Sequence, residues 1–202
     1  MDIVLATRNR KKAEELRRIL DGLGVTILTV ADFPSCPEVV EDSDTFEGNA
    51  VKKAVAAAGC TNLPALADDS GLEVDALNGA PGVRSARYAG EGADDAANTA
   101  KLLQELESVP EGARGARFVC CIALALPDAP QHKARVVTFT GAAEGRIGRE
   151  AKGGRGFGYD PIFYPRGEER TFAEMSSEEK DALSHRRKAL DQLKTFLKEI
   201  VI

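Results

Sequence analysis

The stretch Ile3–Leu23, IVLATRNRKKAEELRRILDGL, decides the fold class because it joins a strand, a polar turn and a helix. Ile3–Ala6 is a short apolar run of the kind that forms a buried strand. After the turn, apolar residues recur at helical spacing: Ala13, Leu16, Ile19, Leu20 and Leu23. A strand followed directly by an amphipathic helix predicts the first unit of an α/β fold.

Strands and helices keep alternating along the rest of the chain. The apolar runs predict four further strands: Val25–Val30, Ala65–Ala67, Phe118–Leu126 and Arg135–Thr140. The last two are close enough in sequence to pair antiparallel through a short loop, which predicts a mixed sheet. Helical spacing predicts helices after Asp44, over Asp94–Glu107 and at the C-terminal end from Ala189. We expect an α/β fold with a mixed sheet, in a single domain over residues 1–202.

Two local signals mark where helices begin. Asp44-Thr45-Phe46-Glu47 has the spacing of a capping box, with Asp44 as the predicted N-cap. Ser184 precedes the apolar stripe of the last helix and is a second predicted N-cap.

Composition excludes several classes of protein. The chain has 27 Lys and Arg against 32 Asp and Glu, a formal net charge of -5 that argues against a nucleic-acid partner. Its N-terminus lacks the basic and apolar regions of a signal peptide. The longest apolar run, Phe118–Pro127, is too short for a membrane-spanning helix. We therefore expect a cytoplasmic protein without a membrane partner, whose four cysteines are buried as small apolar side chains in a reducing environment.

The first candidate site is the turn between the first strand and the first helix. A helix N-terminus offers N–H donors and a positive dipole end to an anion. The turn adds neutral and cationic donors: Thr7, Arg8, Asn9, Arg10, Lys11 and Lys12. The alternative is a solvated basic turn. The chain contains neither a GxxxxGK[ST] phosphate loop nor a GxGxxG motif after a strand, which disfavours dinucleotide binding.

The second candidate site is Asp68-Asp69-Ser70-Gly71, at the end of a predicted strand. Ligands of α/β proteins gather beyond the carboxyl ends of strands. Magnesium in proteins is usually held by one or two carboxylates together with substrate phosphates. A further carboxylate is available from the loop that carries Glu38, Glu41 and Asp42. The alternative is ordinary turn chemistry, for which Asp-Ser-Gly is a common sequence.

The third candidate site is the glycine-rich loop Gly153–Pro161. Its glycines, Gly158 among them, let the backbone approach a ligand closely. Phe157 and Tyr159 offer flat faces for stacking a base, and Asp160 is a candidate acceptor for base N–H groups. The alternative is an ordered loop that packs on its own aromatic rings.

The fourth candidate site combines Lys180 with His185 and Arg186. All three are hydrogen-bond donors. Donors suit the O6 acceptor of a 6-oxo purine and not the amino group of adenine. The alternative is a charged, solvated helix face.

Five motifs follow one another in the order of a known family. They are LATRNRKKAEEL from Leu5, TFEGNAVKKA from Thr45, ADDSGLEVDALNGAPGVRSARYAG from Ala67, GFGYDPIF from Gly156 and SHRRKAL from Ser184. With these motifs the chain resembles, over nearly its whole length, the inosine triphosphate pyrophosphatase family, in its bacterial Ham1-like group. Arg8 departs from the pattern, since many members have glycine there, so the geometry of this turn is open; arginine would add a phosphate contact.

The resemblance implies a long mixed central sheet flanked by helices, in two lobes with the substrate in a cleft between them. It also implies a homodimer and a magnesium cofactor. It implies hydrolysis of noncanonical purine nucleoside triphosphates such as ITP, dITP and XTP to the monophosphate and pyrophosphate. The implied roles are phosphate binding by Thr7, Asn9 and Lys12; proton acceptance by Asp69, which with Glu41 would hold magnesium; substrate contact by Ser70; and nucleoside binding by Phe157 to Asp160, Lys180, His185 and Arg186.

Water would attack the α-phosphorus, with Asp69 as base or metal ligand and Asp68 as the reserve candidate. Three other classes stay open at this point. A Maf-type pyrophosphatase would carry an SPRR-like segment near the N-terminus, and the chain has none. A nucleotide-sensing module would not need the carboxylates. A nucleic-acid-binding protein is supported only by the basic turn.

Overall fold

Six strands form one sheet in the computed structural model, which describes residues 1–22, 24–127 and 134–200. Its strands and helices, in chain order, are β1 Asp2–Leu5, α1 Arg10–Leu20, β2 Thr26–Thr29, α2 Phe46–Thr61, β3 Ala65–Val74, α3 Asp95–Glu105, β4 Gly115–Leu126, β5 Arg135–Ile147, β6 Phe163–Pro165, α4 Ser177–Leu183 and α5 His185–Ile200.

The strand order is β2-β1-β3-β4-β5-β6. Strand β1 pairs parallel with β2 and with β3, so that Ile3 lies opposite Ile27 and Val4 opposite Ala65. Strand β6 pairs antiparallel with β5, with Tyr164 opposite Arg146. Parallel and antiparallel pairs in one sheet, with helices between the strands in sequence, confirm the predicted mixed α/β fold.

The chain divides into two compact units, and each has its own apolar core. The first unit comprises residues 1–69, 120–140 and 189–202, and the second comprises 70–119 and 141–188. In the first, alternate residues of β4 share one face of the strand, Cys120, Ile122 and Leu124. They pack with the apolar stripe of α1 and with Leu190, Leu193 and Leu197 of α5. The period-2 and period-3.6 patterns of the sequence thus meet in one core.

The core of the second unit is built on aromatic rings. Phe118 of β4 packs edge-on against Phe163 of β6 at 4.7 Å between ring centroids. Leu102 and Leu106 of α3 and Leu72 of β3 join this cluster. The core supports the loop between β5 and β6, which carries the third candidate site.

Two sequence expectations about local structure are corrected. The strand predicted over Ala65–Ala67 continues as β3 to Val74, so Asp68 and Asp69 lie inside a strand and not at its end. The N-cap of α2 is Thr45 and not Asp44, since the Thr45 hydroxyl accepts from Gly48 N at 3.0 Å. The predicted cap at Ser184 is confirmed by its hydroxyl, which accepts from Arg187 N at 3.0 Å.

The cysteines differ from expectation in one pair. Cys36 and Cys60 form a disulfide with a Cα–Cα distance of 5.7 Å, which ties the loop before α2 to the last turn of that helix. Cys120 and Cys121 remain buried thiols, as expected. The sequence contains no spacing that singles out this pair, because its two members are 24 residues apart.

Some expectations concern residues whose structure is not described. Leu23 and residues 128–133, where the sequence predicts a short loop, lie outside the described residues. In the described ranges, no helix combines the length and the apolar character that crossing a membrane requires.

Candidate active site

Strand β3 places two adjacent aspartates in different surroundings, because successive side chains of a strand point to opposite faces. Asp68 forms an ion pair with Lys12 of α1 at 2.6 Å and accepts from the Cys120 thiol at 3.0 Å. Asp69 accepts from Asn49 Nδ2 at 3.2 Å and from Lys53 Nζ at 3.1 Å. The side chain of Asp68 has no exposed surface, whereas that of Asp69 is 8% exposed.

Helix α2 supplies both partners of Asp69 from one face. Asn49 and Lys53 are one helical turn apart, on the side that otherwise carries buried alanines. Asn49 also binds the backbone of Ser43, accepting from its N–H at 2.9 Å. A Cβ on Gly48 would lie 2.0 Å from the Ser43 hydroxyl, so a larger residue here would displace the Ser43 side chain from the start of the helix. The TFEGNAVKKA motif therefore begins α2 and directs two polar side chains at Asp69.

Lys53 brings a third carboxylate, that of Glu41, to the site. Its ammonium group donates to Glu41 Oε1 at 2.9 Å, to Asp69 Oδ1 at 3.1 Å and to the Asp68 carbonyl at 2.8 Å. Burial lowers the pKa of Lys53, but the charges of Asp69 and Glu41 outweigh burial and leave that pKa above its usual value. Burial raises the pKa of Asp69, and Lys53 and Lys12 offset only part of this effect.

Glu41 and Asp69 fit a shared divalent cation. One cationic atom, Lys53 Nζ, already lies within hydrogen-bond distance of both carboxylates. Two carboxylates with water and phosphate oxygens are the usual protein ligands of magnesium. Asp42 does not join them, because it pairs with Lys52 on the exposed side of α2. Among the described residues, no group of three or more Asp, Glu, His and Cys is arranged to hold a metal alone.

The turn Thr7–Lys12 is folded by its own side chains. The Asn9 N–H donates to Thr7 Oγ1 at 3.2 Å, and Asn9 Oδ1 caps α1 by accepting from Lys12 N at 3.1 Å. Arg8 reaches sideways, where its guanidinium donates to the Cys36 carbonyl at 3.4 Å. Arg8, Asn9, Arg10 and Lys11 are exposed. The helix N-terminus and its cations are thus open to an anionic ligand.

A second group of predicted residues surrounds the ring of Phe157. Lys180 Nζ lies 4.9 Å and the Arg186 guanidinium 6.0 Å from the centre of this ring. Lys180 is held by Asp160 Oδ2 at 2.6 Å, and the same oxygen accepts from Phe157 N at 2.8 Å. Arg186, only 1% exposed, donates to the Ser70 hydroxyl at 3.4 Å.

Two predicted residues are buried beside this group. Tyr159 is 3% exposed, and its hydroxyl donates to the Ser85 carbonyl at 2.8 Å. His185 is 4% exposed, and its ring stacks on Phe118 at 4.9 Å between centroids. Phe157 is therefore the more accessible of the two aromatic residues proposed for stacking.

The structure brings the predicted residues together in two groups. Glu41, Asp69 and Lys12 belong to the first, and Phe157, Asp160, Lys180 and Arg186 to the second; Ser70 follows Asp69 directly in β3. Sequence reasoning missed Asn49 and Lys53. The available signal was a pair of polar residues four apart on the alanine-rich face of a predicted helix.

A family model, described as the Ham1 family, matches residues 3–196 of the chain. The chain belongs to the Ham1 family. Its similarity to curated members extends over the whole length of the chain. It is 52% identical to a dITP/XTP pyrophosphatase of Desulforamulus reducens, over 100% of this chain and 98% of the relative. It is 54% identical to the protein of the same name from Geobacter sulfurreducens, over 96% of each chain.

Solved structures of Ham1 proteins share this fold. A HAM1 protein from Coxiella burnetii is 46% identical and superposes with a TM-score of 0.88, covering 98% of this chain and 99% of the other. The crystal structure of a nucleoside-triphosphatase / dITP/XTP pyrophosphatase from Mycobacterium abscessus is 49% identical with a TM-score of 0.77, covering 96% and 98%. The resemblance derived from the five motifs is confirmed.

Proposed function

We propose that this Ham1-family chain hydrolyses noncanonical purine nucleoside triphosphates, namely ITP, dITP and XTP, to the monophosphate and pyrophosphate. The observation that carries the proposal is the buried Asp69 carboxylate, held by Lys53 and Asn49, in a chain about half identical to dITP/XTP pyrophosphatases over its full length. The enzyme is a hydrolase that removes these nucleotides from the nucleotide pool. Work on that pool would place it in the cytoplasm.

The triphosphate is bound at the N-terminus of α1. Thr7, Asn9 and Lys12 are the proposed ligands, and the exposed Arg8, Arg10 and Lys11 add positive charge. Lys12 forms an ion pair with Asp68 of β3. The basic turn is thereby anchored next to the strand that carries Asp69.

Glu41 and Asp69 hold magnesium in this proposal. When bound, the ion supplies positive charge that offsets the charge on the phosphate oxygens. Lys53 keeps the two carboxylates within reach of one cation, which supports the assignment.

Asp69 accepts a proton from the attacking water. The oxygen of that water forms a bond to the α-phosphorus, and the bond from this phosphorus to the bridging oxygen breaks. Pyrophosphate leaves with the electron pair, and the proton stays on Asp69 until it exchanges with solvent. The fixed orientation of the Asp69 carboxylate, which accepts from Asn49 Nδ2 at 3.2 Å and from Lys53 Nζ at 3.1 Å, supports this role.

The base is recognised by the group around Phe157. The ring stacks on the purine, and Arg186 and Lys180 donate to acceptor oxygens such as O6. Adenine presents an amino group at that position, which would face donors with no acceptor. A buried mismatch of this kind discriminates by up to about 10⁴–10⁵-fold. Asp160, which holds Lys180 and the Phe157 N–H, orients these two groups.

Pyrophosphate release from ITP, XTP, GTP and ATP, each with magnesium and with chelator, tests the proposal. We expect release from ITP and XTP that strongly exceeds release from ATP, requires the metal and yields the monophosphate. Release of orthophosphate would place the attack at the γ-phosphorus and contradict the mechanism. No turnover of any of the four would favour a nucleotide-sensing module. We also propose a homodimer, which sedimentation equilibrium tests directly.

A further inference from the structure

Both backbone polar groups of Gly158, the residue after Phe157, form hydrogen bonds with side chains of helix α3. Its N–H donates to Asp95 Oδ2 at 2.8 Å. Its carbonyl accepts from the Thr99 hydroxyl at 3.5 Å. Asp95 and Thr99 are four residues apart and therefore lie on one face of the helix.

Helix α3 is held in place by contacts of its own with the rest of the second unit. Leu102 is fully buried in the aromatic core. Asn98 binds the chain at Ala86 and Ala89, where it donates to one carbonyl at 3.2 Å and accepts from one N–H at 2.7 Å. The carboxylate of Asp94 caps the helix through Ala97 N at 2.7 Å, which leaves the neighbouring Asp95 to bind Gly158.

The backbone conformation of Gly158 makes these two hydrogen bonds important for the shape of the loop. Its φ is +61°, in the left-handed region that glycine enters at little cost and leaves as easily. The peptide groups on either side of Gly158 set the direction of the Phe157 ring. On the other side of the loop, Asp160 Oδ2 accepts from the N–H of Phe157 at 2.8 Å.

We propose that Asp95, supported by Thr99, is a positioning residue for the base-binding loop: it holds Gly158 and thereby the face of Phe157 on which the purine stacks. The inference rests on the proposed function. Asp95 is exposed, does not belong to either group of site residues, and binds the loop through the backbone N–H of Gly158.

The direction in which KM for ITP changes in Asp95→Ala distinguishes a positioning role from a purely electrostatic one. If Asp95 acted only through its charge, removing it would favour an anionic triphosphate and lower KM. A positioning role predicts the opposite. Asp95→Ala should raise KM for ITP about tenfold, the usual effect of losing one hydrogen bond to a charged group. kcat should change little, because the contact serves ground-state and transition-state binding alike.

Two products of the reaction give a sharper readout. IMP carries the base and pyrophosphate does not. In Asp95→Ala, inhibition by IMP should weaken about as much as KM rises, while inhibition by pyrophosphate stays unchanged. Asp95→Asn keeps an acceptor oxygen and should recover most of the IMP affinity. Glu91→Gln, which removes a 91% exposed carboxylate near the start of the same helix, should match the wild type.

Amide hydrogen exchange over residues 154–160 completes the test and does not depend on activity. Asp95→Ala should lose protection in this segment, and Asp95→Asn and Glu91→Gln should keep it. An unchanged or lowered KM in Asp95→Ala, equal weakening of IMP and pyrophosphate, or unchanged exchange would overturn the inference. Failure of the proposed function has a different signature, since the wild type itself would not turn over ITP.

Discussion

At the scale of single residues, Asp68 and Asp69 show how one step along a strand separates two identical side chains. Asp68 is closed off by Lys12 and the Cys120 thiol. Asp69 faces Asn49, Lys53 and the Glu41 carboxylate that Lys53 also binds. Of the two, Asp69 therefore has the partly exposed side chain and the neighbouring carboxylate with which it can share a cation.

Asp69→Asn should lower kcat about 10²–10⁴-fold, because the amide can neither accept the proton nor carry the charge of a metal ligand. The fold should be retained, since asparagine has the same shape and still accepts from Lys53. Steady-state kinetics with ITP and a thermal melt of the same sample check both parts.

Asp42→Asn is the matched control for that variant. Asp42 is one residue from Glu41, but its side chain is 63% exposed and pairs only with Lys52 among the contacts described for it. Turnover by Asp42→Asn should equal that of the wild type. An active Asp69→Asn enzyme would remove Asp69 from the role of base.

At the scale of elements, the start of α2 determines where Asn49 and Lys53 lie relative to Asp69. Thr45 caps the helix through Gly48 N, and Asn49 and Lys53 then project toward Asp69 one turn apart. Thr45→Ala should lower the free energy of unfolding by about 1 kcal/mol, the usual effect of losing an N-cap hydroxyl. Asp44→Ala should lower it by only a few tenths of a kcal/mol, through the helix dipole.

Urea unfolding of these two variants side by side separates the two possible caps. Equal effects, or a larger effect at Asp44, would contradict the assignment of Thr45. The sequence pattern alone favoured Asp44, because Glu47 stands three residues later as in a capping box. In the structure Glu47 instead accepts from the Thr138 hydroxyl of β5 at 3.0 Å.

The disulfide joins the loop that precedes α2 to the end of the same helix. We expect Cys36→Ser to lower the free energy of unfolding by about 3 kcal/mol, because the crosslink closes a loop of moderate length in the unfolded chain. Chemical unfolding without reductant measures this, and addition of reductant to the wild type should reproduce the loss.

Thiol titration gives an independent check on the crosslink. Burial raises the pKa of the Cys121 thiol to about 11, so it stays protonated and unreactive in the native protein at neutral pH. Two thiols should react in denaturant alone and four after reduction. Four reactive thiols in denaturant without reductant would show that Cys36 and Cys60 are not joined.

At the scale of the whole molecule, the sequence predicted the order of strands and helices more accurately than it predicted the contacts between side chains. The strand Ile3–Ala6 and the helix that follows it were predicted to within a few residues, because a buried face imposes a clear period on the sequence. Strand β3 was predicted too short. Two aspartates normally mark a strand end. Here partners from α1, α2 and β4 accommodate both carboxylates inside the strand.

Contacts between segments that are distant in sequence also explain why the sequence did not reveal the roles of Lys53 and Asp95. Lys53 follows Lys52 in a helix, and a lysine pair there usually indicates a solvated face. Asp95 follows Asp94, where two acidic residues at a helix start need no partner beyond the helix itself. In each pair the second residue is directed at a distant segment, which only the folded chain brings near.

The position of water attack tests the central claim most directly. Hydrolysis of ITP by the wild-type enzyme in oxygen-18 water, followed by mass spectrometry of the products, reports which phosphorus receives the new oxygen. Attack at the α-phosphorus predicts the heavy oxygen in IMP and none in pyrophosphate. Heavy oxygen in pyrophosphate or in orthophosphate would place the attack at the β- or γ-phosphorus and contradict the account.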